Sequence, residues 1–215
     1  AAGVGSLKAK KWTEALGRFN EVLAGWSDNA DAVSGKRTAK NHVAYDKALA
    51  RARAFEKAGD WENAWNAYAQ AQQIFDSKSI RKRIAQAKGR AESVALTTRG
   101  AQEFEGKALT RAKTTVTTAL KLYPRNRKAT DLLARVNTAT RQAAAIFKRA
   151  DAARLGSRWS EALDLYQGGL AIWGDHPQAA AHLNACRGGR DHDVEIANGD
   201  GAFAQANWDL AIQHY

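Results

Sequence analysis

A column of large residues recurs along this 215-residue chain with a period close to 49. Trp12, Trp61, Leu109, Trp159 and Trp208 are separated by 49, 48, 50 and 49 residues. Three places after each anchor stands Ala15, Ala64, Ala112, Ala162 or Ala211. Seven places after it come Phe19, Tyr68, Val116, Tyr166 and Tyr215. Ten places on, Val22, Ala71, Ala119 and Gly169 are mostly small, and fourteen places on an aromatic returns as Trp26, Phe75, Tyr123 and Trp173. Nine places before each anchor the residue is always small: Gly3, Ala52, Gly100, Ala150 and Gly199.

Those offsets trace one face of an α-helix. Small residues at fixed points let a second helix approach closely, and the aromatics fill the space beside them. A helix with one apolar stripe cannot bury it alone, so the period predicts stacked copies sharing a continuous core. Composition agrees: the chain has only 2 Pro and is rich in Ala, Arg, Lys, Gln and Leu, which favours helix over sheet. The stretch "KTTVTTAL" (Lys113 to Leu120) has strand-like propensity, but its register with the other rows predicts helix.

The pattern resembles the tetratricopeptide repeat, a 34-residue pair of antiparallel helices. The likeness is carried by Gly100 and Ala150 in the first helix and by Trp61 and Trp159 opening the second. Ala64 and Ala162, Tyr68 and Tyr166, and Ala71 and Ala119 follow, with Pro124 in "LKLYPRNRKA" at a unit boundary. The resemblance implies an all-α, right-handed α-solenoid of helical hairpins. The reading makes residues 1–215 one continuous array, with approximate units 1–44, 45–92, 93–142, 143–191 and 192–215. Its ends fall inside the pattern and there is no Met, so a mature form or a segment of a longer chain is expected.

The chain departs from the family in length, with an insert of about 15 residues per unit, long enough for about four helical turns. The inserts fall near residues 30–44, 79–92, 127–142 and 177–191. Three carry a short stripe of their own: Ile80, Ile84 and Ala87; Ala129, Leu133 and Val136; Ala179, Leu183 and Cys186. The first, Ala32, Lys36 and Ala39, fits poorly. Each insert is therefore either a third short helix or an extension of the next unit's first helix. Unequal lengths would turn an unbroken helix by ~100° per residue, so breaks are expected at Gly35, Gly89 and the Gly188–Gly189 pair. The third insert has no Gly, which leaves Asn126 to Leu155 as one long helix.

Net charge is +11, and the inserts hold nearly all of it. The densest part is "KSIRKRIAQAKGR". Arg81, Lys82, Arg83, Lys88, Arg90, Arg127, Lys128 and Arg135 form a basic ridge. Such a ridge is either a solvated face shielding apolar surface or a contact for an anionic polymer, nucleic acid or an acidic envelope polymer. The seven Trp are expected in the core, and no nucleic-acid motif is visible.

No apolar run reaches 18 residues, so no membrane span is expected, and the N-terminus lacks an apolar signal segment. His176, His182, Cys186 and His192 cluster in sequence, and His182 with Cys186 has a metal-binding spacing. Cys186, however, holds a stripe position and reads as a small buried hydrophobe. "GVG" and "NGDG" follow no strand, and no paired carboxylates stand out. A non-enzymatic protein without cofactor or metal is expected.

The family resemblance implies that first helices present a concave surface to a peptide or partner protein. On that side would lie Leu49, Arg53, Glu56 and Lys57; Thr97, Ala101 and Phe104; Phe147, Asp151 and Arg154; and Ile196, Asp200 and Phe203. Exposed Phe104, Phe147 and Phe203 would make a mixed apolar and charged groove suited to an amphipathic helix. The leading expectation is a protein-interaction scaffold. The alternatives are an anionic-polymer binder and an array that self-associates through its open ends.

Overall fold

The computed structural model describes residues 2–214. Among them are ten α-helices and no strand: α1 (Ala2–Lys8), α2 (Trp12–Gly25), α3 (Ala30–Ala58), α4 (Trp61–Ile74), α5 (Lys78–Glu105), α6 (Leu109–Leu122), α7 (Arg127–Leu155), α8 (Trp159–Ile172), α9 (Ala179–Ala204) and α10 (Trp208–His214). The protein is an all-α helical repeat in which consecutive helices pack on one another. "KTTVTTAL" is helical, inside α6. The chain forms two compact units, Ala1–Glu92 and Ser93–Tyr215. The column position at Tyr215 and the chain start at Ala1 lie outside the described residues.

The inserts are not separate helices. Each is the N-terminal half of a long helix, so helices of 29, 28, 29 and 26 residues alternate with short ones of 14. A 29-residue helix is about 43 Å long and a 14-residue helix about 21 Å. One long helix can therefore cover two short ones, end to end. The cores show this division. In the first unit, Ala15 and Phe19 of α2 pack with Ala32 and Ala39 of α3. Further along α3, Ala48 and Ala52 pack with Ala64, Tyr68 and Ala71 of α4 and with Ile80 and Ala87 of α5. In the second unit, Ala129, Leu132 and Val136 of α7 cover Ala112, Val116 and Ala119 of α6. Ala143, Phe147, Ala150 and Ala153 cover Ala162, Leu163 and Tyr166 of α8.

The expected breaks do not occur: Gly35 lies within α3, Gly89 within α5, and Gly188 and Gly189 within α9. Two of these glycines mark close approach instead. A Cβ on Gly35 would sit 2.3 Å from Phe19 Cζ, and one on Gly189 would sit 2.8 Å from the Trp159 ring. Helix continuity survives because the connections absorb the length differences. Three residues precede α5, four precede α7 and six precede α9. The first insert, which fitted the stripe poorly through Lys36, buries Ala32, Gly35 and Ala39.

Each helix that precedes an anchor ends in the same turn. Lys10, Gly59, Lys107, Ser157 and Ala206, each two places before an anchor, have φ between 55° and 76°. The next residue's N–H donates to the carbonyl five places back, as in Asp60 to Phe55 at 2.9 Å and Ala108 to Glu103 at 2.8 Å. This is the Schellman arrangement. Four of the five left-handed positions are not Gly, and each costs about 1–2 kcal/mol that the flanking packing offsets.

The long helices also begin alike. The side chain of Asn29 accepts from the N–H of Ala32, Ser77 from Ile80, and Asn126 from Ala129. At the matching place before α9, His176 Nδ1 accepts from the N–H groups of Gln178 and Ala179, at 3.3 and 3.1 Å. Only a neutral ring can do this. Burial, followed by nearby His182, pushes His176 below the usual histidine range, while Asp151 and Asp175 act in the opposite sense. The folded state thus binds a proton less readily than the unfolded one. Stability from this cap is present in full above the unfolded value near 6.5 and declines as pH falls through it toward the lower folded value. Chemical denaturation from pH 7.5 to 5.5 should show this loss, up to ~1 kcal/mol. His176→Asn should flatten it, because Asn fills the same place before α3 and α7. An unchanged slope in the variant would remove His176 as the cause.

The tryptophans are not the core. Trp26 is 62% exposed and Trp208 55%, and Trp12, Trp61, Trp65, Trp159 and Trp173 are half-buried. The reason is position. The Trp anchors open short helices and the aromatics fourteen places on follow the last residues of theirs, so both stand at the ends of the stripe; Leu109, at the same place in α6, is buried. The centre is taken by the Ala column and by Phe19, Tyr68, Val116 and Tyr166, all at most 5% exposed.

Candidate functional site

The residues expected on the first-helix side fall into three environments. Arg53 and Lys57 of α3 and Asp200 of α9 are exposed, while Leu49, Glu56, Ala101 and Phe104 are half-buried. Phe203 is 58% exposed, edge-on to Trp208 at 5.0 Å. Phe147 must be withdrawn from any contact surface. It is 5% exposed, and its ring lies against Gly169, where a Cβ would come within 2.3 Å of Cε1. Single-face reasoning missed this because the C-terminal half of α7 buries its stripe on α8.

Asp151 and Arg154 belong to a polar network on the central tyrosine of α8. The Tyr166 hydroxyl donates to Asp151 Oδ1, and His182 Nδ1 lies 3.2 Å from both groups. Burial first, then the bond to Asp151, pushes Tyr166 up to about 12, against the opposing Arg154. The corresponding set in the first unit has reversed charges. Arg53, Glu56 and Arg83 surround Tyr68, with Arg83 and Glu56 3.3 Å apart. Burial and then Glu56 raise Tyr68. Both sets hold a tyrosine hydroxyl among charges without exposing it, which suits structure better than proton transfer at neutral pH. Cys186 is fully buried, and burial raises its thiol, away from the reactive thiolate. His176 is a helix cap and His192 is exposed, so the structure disperses the residues of that sequence cluster.

Most of the basic ridge engages its own chain. Arg81 pairs with Asp76 at 3.3 Å, and Lys88 pairs with Glu92 at 3.9 Å and lies 5.7 Å over Trp65. Arg90 lies 4.3 Å over the Trp61 ring and Arg135 4.8 Å over Phe104. These contacts use the half-exposed rings as seats for cations, at ~0.5–1 kcal/mol each. Lys82, Arg127 and Lys128 are exposed and make no ion pair among the described residues.

The two expected surfaces meet at one place. Between the C-terminal part of α5 and the start of α7 lies a pocket of about 430 Å³. Thr97 and Ala101 come from the first-helix list, and Lys128 and Arg135 from the ridge. Val94, Ala101 and Leu132 give it an apolar floor. A buried polar network holds its walls together. Asn126 Nδ2 donates to Ser93 Oγ at 2.9 Å and to Thr97 Oγ1 at 3.0 Å, while Ser93 Oγ donates to the Ala119 carbonyl at 2.7 Å. Sequence reasoning did not find Val94, Asn126 or Leu132 as site residues. Leu132 stands beside the expected stripe residue Leu133, and steps of three and four cannot be separated by period alone.

The connection before α9 braces the start of α6. The carboxylate of Asp175 accepts from the N–H groups of Thr110 and Arg111, at 3.0 and 3.1 Å, and Trp173 Nε1 donates to Thr110 Oγ1 at 2.9 Å. Ala108 has no side chain to cap α6, so the cap comes from 65 residues away. Compared with known proteins, this sequence matches no family model and no curated protein.

Proposed function

We propose that this chain is a protein-interaction scaffold of tetratricopeptide-repeat type, holding a partner along the exposed faces of its long helices. The observation that carries this reading is the pocket between α5 and α7, where an apolar floor meets cationic side chains. Repeats bracketed by short, capped turns give a preorganised surface, so a partner does not have to order it on binding. No helix among the described residues is long and apolar enough to cross a membrane. A second reading, contact with an anionic polymer along the ridge, rests on Lys82, Arg127 and Lys128, because most other ridge cations are engaged within the chain.

A photo-cross-linking residue at Arg53 or Val94, with Thr118 on the outer face of α6 as control, tests the proposal. One protein is expected to cross-link from the first two sites and not the third, and to bind the purified chain in about 0.5 M salt, where exposed charges are largely screened. Retention on nucleic acid that disappears at moderate salt, with no cross-linked protein, would transfer support to the second reading.

A further inference from the structure

We propose that the corner joining α6 to α7, with the pocket beside it, binds an acidic amphipathic helix of a partner protein. This rests on the scaffold reading and names the partner's chemistry. Lys121, Arg125, Arg127 and Lys128 fall within eight residues of sequence, are all exposed, and make no ion pair among the described residues. The other corners are different. The one before α3 carries Asp28 and Asp31. The one before α5 carries Asp76, paired with Arg81 at 3.3 Å, and the one before α9 carries Asp175, 3.7 Å from Arg111. The α6–α7 corner is thus purely cationic, and its charge is unmatched from within.

Lys128 belongs both to this corner and to the pocket. The pocket offers a partner two kinds of contact. Val94, 47% exposed, with Ala101 and Leu132, makes an apolar seat for one or two side chains. Lys128 and Arg135 present positive charge on its wall, with Asp131 as the one carboxylate in the lining. The fitting occupant has an apolar stripe at helical spacing and carboxylates flanking it. A nucleic acid fits less well. Stacking of bases needs an open aromatic face; Phe104 is covered by the Arg135 guanidinium at 4.8 Å, and Tyr123 in the corner is half-buried. The wall from Asp131 to Arg135 lies in the insert, so a 34-residue unit would lack this seat.

The test uses the whole chain and labelled peptides about four helical turns long. One has a Leu stripe flanked by Glu, one has each Glu replaced by Gln, and one has each Leu replaced by Ser. A single-stranded DNA of similar length serves as competitor. Fluorescence anisotropy should show saturable binding of the first peptide only. Lys128→Glu and Val94→Asp should each weaken it about tenfold or more, and Lys82→Glu should leave it within about twofold. All three positions are exposed, and circular dichroism confirms that the variants remain folded. Equal binding of the Ser-stripe peptide, or indifference to Val94→Asp, overturns the proposal by reducing the corner to a bare charge. Displacement by DNA that depends on Lys128 overturns it in favour of nucleic acid. If no peptide binds, the proposal falls. A protein cross-linked from Arg53 would then keep the scaffold reading alive, and its absence would remove both.

Discussion

Phe147→Ala is expected to destabilise the protein by about 3–5 kcal/mol, the usual cost of truncating a buried phenylalanine. The ring is 5% exposed and packs with Tyr166 of α8, with ring centroids 6.3 Å apart. Its edge faces Gly169 so closely that an added Cβ there would lie 2.3 Å away. Gly169→Ala alone should cost ~1–3 kcal/mol by overpacking. In the Phe147→Ala background the same change should cost much less, because the methyl enters space the ring has left. Urea unfolding of the four proteins measures this coupling. Phe203→Ala, on the exposed ring of α9, is the control and should change stability within about 0.5 kcal/mol. If Phe147→Ala left stability unchanged and weakened partner binding instead, the ring would belong to the contact surface and its burial would be misjudged.

Asn126→Ala is expected to cost about 2–4 kcal/mol, well above an ordinary lost cap. The side chain caps α7 through the N–H of Ala129 and also donates to Ser93 and Thr97, both buried. Removing it leaves two buried oxygens without their donor. Asn29→Ala is the matched comparison, because Asn29 caps α3 by the same bond to Ala32 without the second pair of partners. That change should cost ~1 kcal/mol. Thermal or urea unfolding would show the difference. Equal losses at the two sites would mean that the Ser93–Thr97 network adds nothing measurable.

The helical repeat was legible from one column. The five Ala at the third place after each anchor are all at most 3% exposed, since only a residue without reach fits where two helices touch. The small column from Gly3 to Gly199 is buried for the same reason. What escaped the sequence reading has three causes. Trp12 and Trp208 share a column with buried Leu109, all at helix starts, and a period records phase around a helix without recording what covers its end. Gly35 and Gly189 suggest breaks by local propensity, yet they are the surfaces against which Phe19 and Trp159 pack, a tertiary demand that propensity cannot express. The left-handed turns at Lys107 and Ser157 have their glycine one place early, at Gly106 and Gly156, and the turn at Ala206 has none. Of the pocket, Ala101, Lys128 and Arg135 were readable singly. Their convergence, and the part played by Asn126 from the connection before α7, follows from how α5 and α7 lie together.

In α3 and in α7 a single rod is common to two adjoining cores. Ordinary stacked hairpins can part at the seam between neighbours, because only side-chain packing crosses it. Here a crack between the layers of α6 and α8 would also have to snap the backbone hydrogen bonds in the middle of α7. The nearest-neighbour term of a linear array thereby gains a contribution from helix continuity itself. Each such pair of layers melts together or stays whole, and a strain applied at one short helix is felt by the next through a stiff lever instead of a soft joint.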